Sequence, residues 1–199
     1  MWKPGNTESE ASSWHTSIEV RELVKYEPIK NLKIPSGINV TTDNGVIEIS
    51  GKLGKVSRTF KSNYVRLEVS DGEIKISASK HNKKINSITG TWASTIETLF
   101  KGVQEGFKYE MKIDYTHFPM RVSVKGDNVL IENFLGGRAP RTAEIVGQSK
   151  VSVKGDRVFI EGIDRQELGE TAANIERATK IRHFDLRVFQ DGVYLIGGN

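Results

Sequence analysis

The sequence has 199 residues, with 29 Lys and Arg against 25 Asp and Glu, a formal net charge of +4, and 37% hydrophobic residues. This length supports one or two domains with a real core, and so mild a positive excess permits an anionic partner without demanding one. The absence of cysteine excludes disulfides and thiolate metal sites and suits a reducing compartment.

No apolar run approaches the ~18 residues of a membrane span, and the N-terminal stretch lacks a signal-peptide core, so a soluble cytoplasmic protein with no membrane partner is expected. Residues 1–33 read as an N-terminal extension. Met1 to His15 is polar and aperiodic, with Pro4, Gly5 and a Ser/Glu cluster. It reads as a terminal tail, or as an extension that orders on a partner. Ser17 to Lys33 mixes charged and apolar residues, a short strand or helical turn interrupted at Pro28.

From Ile34 the chain repeats itself. IPSGINVTTDNGVIEI meets FPMRVSVKGDNVLIEN from Phe118, pairing Pro35 with Pro119, Val40 with Val124, Asp43 with Asp127, Asn44 with Asn128, Ile47 with Ile131 and Glu48 with Glu132. Val69, Ile74 and Ile76 meet Val153, Val158 and Ile160. GTWASTIE from Gly90 meets GETAANIE from Gly169, pairing Ala93 with Ala172 and Ile96 with Ile175. Three blocks in one order, with a long period, imply two whole domains rather than a solenoid.

Within the first copy, Ile38, Val40 and Val46 to Ile49 predict strands joined by an Asp-Asn-Gly turn. Val65, Leu67 and Val69, then Ile74 and Ile76, predict a second hairpin by their period-two alternation. Ile88, Trp92, Ile96, Leu99 and Val103 recur as one helix face, with Gly102 and Gly106 as its stops. Phe107, Tyr109, Met111 and Ile113 predict a closing strand. The second copy places Leu168, Ala172 and Ile175 on its helix and ends in a hairpin from Leu186 to Ile196 about Asp191-Gly192. The expected fold is α+β, an antiparallel sheet packed on one helix and duplicated as residues 34–114 and 115–199.

Catalytic chemistry is unsupported. His15, His81, His117 and His183 are scattered and form no two-His helical motif, so no metal or other cofactor is expected. Gly51-Lys52-Leu53-Gly54-Lys55 looks like part of a phosphate loop but lacks the Walker spacing. Glu48 and Glu132 occupy equivalent hairpins and read as exposed strand positions rather than a dyad.

The positive charge is local. Lys52, Lys55, Arg58, Lys61 and Arg66 lie in a stretch with no acid, and Lys80, Lys83 and Lys84 form a knot in the loop before the first helix. Arg138 and Arg141 stand in the loop LGGRAPR, Lys180 and Arg182 follow the second helix, and Arg187 lies on the final strand. Basic glycine loops let a backbone approach a phosphate chain while long side chains neutralise it; the bland alternative for each is solvated surface charge. Recognition would be by backbone and shape, since no recognition helix or paired stacking motif is visible.

The segments Gly106-Phe-Lys-Tyr-Glu-Met, Tyr115-Thr-His-Phe-Pro119 and Ile131-Glu-Asn-Phe-Leu-Gly136, with the ending Arg187-Val-Phe-Gln-Asp-Gly-Val-Tyr-Leu195, resemble the archaeal and eukaryotic branch of the universal large-subunit ribosomal protein six family. The resemblance covers about Ile34 to Ile196. It implies a non-enzymatic structural protein with no small-molecule substrate, bound to large-subunit rRNA near the sarcin–ricin loop and stalk base. Neighbouring ribosomal proteins and docking translational GTPases would be its other company. It also implies that the second copy carries much of the contact, favouring Arg138, Arg141, Lys180, Arg182 and Arg187, with Lys52 and Lys55 from the first copy. Phe189 and Tyr194 are implied as packing or a contact platform. Phe184 departs from the family pattern, standing where a basic residue is usual; the ending Gly197-Gly198-Asn199 lacks the usual basic tail, and the N-terminal extension is longer than the family norm. Two other classes stay open: a free protein-binding module using exposed sheet edges, and an unrecognised hydrolase.

Overall fold

The computed structural model describes residues 26–198 apart from Asn44 and Asp71; the tail expected over Met1 to His15 lies outside them. Strand β1, Glu27–Lys33, opens the first unit, followed by β2, Asn39–Asp43, β3, Val46–Ser50, β4, Lys55–Thr59, β5, Val65–Ser70, and β6, Glu73–Ala78. Helix α1, Lys83–Gln104, closes it. The second unit runs through β7, Phe107–Asp114, β8, Arg121–Lys125, β9, Asn128–Glu132, β10, Arg141–Glu144, β11, Lys150–Lys154, and β12, Arg157–Gly162. Helix α2, Arg165–Ala178, and strand β13, Gly192–Gly198, complete it.

The strands form four antiparallel sheets, ordered β1-β6-β5, β2-β3-β4, β10-β9-β8 and β11-β12-β7-β13. Each unit has its own core. In the first, α1 seals Ile47, Ile49, Ile74 and Ile76 with Ile85, Ala93, Ile96 and Val103. In the second, α2 sets Leu168, Ala172 and Ile175 against Met111, Val129, Ile131, Val158 and Ile160. The buried helix positions Ala93 and Ile96 and Ala172 and Ile175 fall where the repeat aligns them.

The structure moves the boundaries of the two repeats. Strand β1 pairs with β6 along its length, so residues expected in the extension are an integral strand of the first sheet. Strand β7 pairs with β12 and β13, so the segment expected to close the first repeat opens the second. Both units therefore begin with a strand, at β1 and at β7. The reason lies at Gly106, whose φ of +75° breaks the helix in the left-handed region and sends the chain onto the second sheet.

Two further expectations are corrected. In the first hairpin the buried pair is Ile47 and Ile49, and its counterpart is Val129 and Ile131. Ile49, not Ile47, thus corresponds to Ile131. A slip of two residues leaves every strand side chain on its own face, so hydrophobic pattern cannot detect it; Glu48 and Glu132 lose their equivalence with it. The final hairpin is also absent among the described residues: the chain from Arg182 to Gln190 forms turns, and β13 pairs with β7 instead. Asp185 makes the turn, accepting from Val188 N at 3.1 Å and Phe189 N at 2.9 Å.

Helix α1 starts at Lys83, earlier than its first periodic apolar residue suggests, because Asn82 caps it by accepting from Ile85 N at 2.9 Å. Asn82→Ala is expected to destabilise the protein by about 1 kcal/mol, read as a lower urea midpoint with unchanged slope; an unmoved midpoint would show that the cap is replaceable by water.

Candidate nucleic-acid interface

The candidate cations divide into separate groups. Lys83 and Lys84 are the first two residues of α1, not part of a preceding loop, and Lys80 stands just before its cap. All three are exposed, and the first turn carries no acid, so the positive end of the helix dipole adds to their charge. His81 lies beside them, its Nε2 3.1 Å from Glu27.

Lys52 and Lys55 sit on the turn between β3 and β4. Gly51 N donates to Gly54 O at 2.9 Å, and Leu53 N donates to Val103 O at 3.1 Å, pinning this turn to the far end of α1. Lys55 is 3.2 Å from Glu48, an exposed pair that halves the charge offered at that turn. Because α1 has 22 residues, the two lysine groups stand at ends about 33 Å apart. They cannot grip one phosphate together.

Arg58 belongs to neither group. Its guanidinium reaches across to the second unit, donating to Asp164 and Gln166, and only 22% of its side chain is exposed. It is a joint between the units, not a free surface cation.

The second unit brings its own candidates together. A tight turn over Phe134–Gly136, with Asn133 at φ 58° and Leu135 at φ 51°, leads into the loop carrying Arg138 and Arg141. Arg141 stacks its guanidinium 4.2 Å from the Phe134 ring centroid. Its Nη1 donates to Ala178 O at 2.8 Å and Lys180 O at 3.3 Å, satisfying carbonyls left open at the end of α2. Arg141 thus fastens the Arg138 loop beside Lys180 and Arg182. Arg138, Lys180, Arg182 and Arg187 are exposed and have no acidic partner among the described residues. Arg187 lies in the turn after α2 rather than on a strand.

The residues that sequence reading passed over are aromatic. Phe184 lies 4.9 Å from Phe189, and Phe189 lies 5.3 Å from His117, ring centroid to ring centroid. Phe189 is a platform candidate in the sequence, and of its two ring neighbours Phe184 shares its turn while His117 comes from a distant bend. That bend is held by Asp191, which is fully buried and accepts from Thr116 N at 3.0 Å. Tyr194 donates to Gln190 O at 3.1 Å; burial, then the nearby carboxylates of Asp114, Asp191 and Glu176, push its phenol above the ordinary range, so it stays a neutral donor. On the inner strands β7 and β12, the hydrogen bond and charge of Lys108 hold the Glu161 carboxyl below its ordinary value.

Among the described residues no group of His, Asp and Glu could hold a metal ion. No helix there is long and apolar enough to cross a membrane. Among the described residues the serine and threonine hydroxyls that donate do so to backbone carbonyls, and none of these is paired with a general base.

The class defined by this fold and surface is a duplicated α+β protein with cations at loop tips and helix ends and no assembled nucleophile–base pair among the described residues. Residues 34–106 and 118–192 match the family model described as ribosomal protein L6. The chain belongs to the ribosomal protein L6 family, in its archaeal branch. It is 53% identical over 176 residues to the large ribosomal subunit protein uL6 of Picrophilus torridus, covering 88% of this chain and 98% of that protein. The uL6 of Thermoplasma acidophilum is 55% identical over 174 residues, covering 87% and 98%. That of Methanosarcina mazei is 42% identical over 170 residues, covering 85% and 97%.

Proposed function

We propose that this protein is a non-catalytic structural constituent of the cytoplasmic large ribosomal subunit that binds its rRNA. The observation that carries the reading is the family match across both repeats, together with relatives named as large-subunit proteins over nearly their whole length. The rRNA surface is assigned first to Arg138, Lys180, Arg182 and Arg187, which Arg141 and α2 assemble on one unit. Lys80, Lys83 and Lys84 form a second anchor, and Lys52 with Lys55 a third. Anchors this far apart suit a folded RNA surface better than a single strand. The finer placement, near the sarcin–ricin loop and stalk base where translational GTPases dock, follows from the family resemblance, as do neighbouring ribosomal proteins as partners.

Phosphate contacts leave a signature in salt dependence, about 0.9 in the logarithmic slope per neutralised phosphate on duplex nucleic acid. Lys180→Gln combined with Arg182→Gln is therefore expected to lower the slope for large-subunit rRNA by about 2. An unchanged slope would remove these residues from the interface. At the level of the whole reading, the chain should co-sediment with the large subunit, and recovery only in the free fraction would overturn the assignment.

A second reading is favoured by β13, which ends its sheet and exposes Tyr194, Leu195 and Ile196. An unpaired strand edge of this kind accepts a protein strand. Binding through it would resist salt, whereas rRNA binding weakens steeply.

A further inference from the structure

The segment between α2 and β13 leaves a phenylalanine in water on purpose-built support. Phe184 is 52% exposed, with one face toward Phe189 and the ladder continuing to His117. The turn and the bend that carry the rings are held by hydrogen bonds. Asp185 Oδ1 accepts from Arg187 N at 3.0 Å, its carbonyl closes the turn onto Phe189, and Asp191 holds the bend that carries His117. His183, immediately before Phe184, has φ 67°, a left-handed conformation uncommon outside glycine. The ring is presented, not merely left over.

We propose that the open face of Phe184 stacks an unpaired RNA base. Resting on the rRNA reading above, this names the ligand of the ladder as a single unstacked nucleotide, with its flanking phosphates on Arg182 and Arg187. Charge decides between occupants. The aromatic rungs are flanked by exposed Arg182 and Arg187, while the one carboxylate within the turn, Asp185, is engaged in closing it. A π face bordered by free cations suits a base with its backbone; an apolar protein segment would bury those cations without partners. Stacking tolerates any base, so the contact adds affinity without reading sequence.

The test uses the full chain and intact large-subunit rRNA. Phe184→Trp is expected to bind as the native protein does. Phe184→Leu and Phe184→Ala are each expected to weaken binding about tenfold, with the salt slope unchanged because no phosphate contact is lost. Since Phe184 is exposed, its replacement should leave the unfolding midpoint in place. Phe184 replaced by photoreactive p-benzoyl-phenylalanine, in assembled subunits, should cross-link to one unpaired rRNA nucleotide. Native affinity in Phe184→Leu, or cross-linking to protein alone, would overturn the stacking proposal and leave rRNA binding intact. Failure of the native chain to bind the rRNA at all would overturn both.

Discussion

Replacing Gly102 by alanine is expected to destabilise the protein by about 2 kcal/mol, although the same change in an open helix would stabilise it by about 1 kcal/mol. Gly102 lies in the last turn of α1, and a Cβ there would stand 2.0 Å from the carbonyl oxygen of Ile163 and 3.0 Å from Phe107 Cε2. The nearer atom is backbone of the second unit, between β12 and α2, so no side-chain rotation relieves the clash. The helix end must retreat instead, and it is already committed elsewhere. A Cβ at Gly51 would meet Val103 at 2.8 Å, and Leu53 N donates its hydrogen bond to the same residue's carbonyl. Overpacking of this kind costs about 1–3 kcal/mol, and more when backbone must move. Gly102→Val should therefore cost more than Gly102→Ala. Urea unfolding checks both; a midpoint at or above the native one would show that the two units do not meet at this glycine. A retreat at Gly102 would also shift the first unit's lysines relative to the second unit's arginines. Loss of rRNA affinity should then accompany the loss of stability.

That joint marks where sequence reading stopped. Periodicity located both helices and most strands because Ile74, Ile76, Ile96, Ile160 and Ile175 each obey a local rule that burial enforces. Duplication was legible for the same reason. What local rules cannot carry is partnership. Phe107 to Ile113 alternates as a strand must, yet nothing in the alternation says that its partners are Arg157–Gly162 and Gly192–Gly198. Gly102 reads in the sequence as a helix stop, but the helix runs on to Gln104, and the use of this glycine is a close approach to Ile163 in the second unit. The same limit applies to the cations. Lys80, Lys83 and Lys84 remained a surface group, but Arg58 and Arg141 turned out to be engaged by the fold itself. A charged residue in a basic stretch reads the same whether it faces solvent or a carboxylate. The aromatic ladder was invisible because His117 and Phe184 come together only through the buried Asp191.

Asp164→Ala is expected to carry the largest cost of any single polar change, about 4 kcal/mol. Two effects combine at this residue, whose side chain is 8% exposed. Its Oδ1 accepts from Gln166 N at 2.9 Å as the N-cap of α2, and loss of a cap costs about 1 kcal/mol. Its Oδ2 takes the Arg58 guanidinium, and removing one partner of a largely buried pair costs about 3–5 kcal/mol because the other charge stays behind. Solvent reaches part of Arg58, which places the expected loss toward the lower end of that range. Asp164→Asn keeps an acceptor for the cap and should cost less. Arg58→Met should also cost less than Asp164→Ala, since the carboxylate left behind still faces the positive end of α2. The double variant Arg58→Met with Asp164→Ala separates the terms: if the pair joins the units, the two losses overlap by about 1–3 kcal/mol. Strict additivity would mean that Arg58 and Asp164 act independently, and the pair would then not be what joins the units.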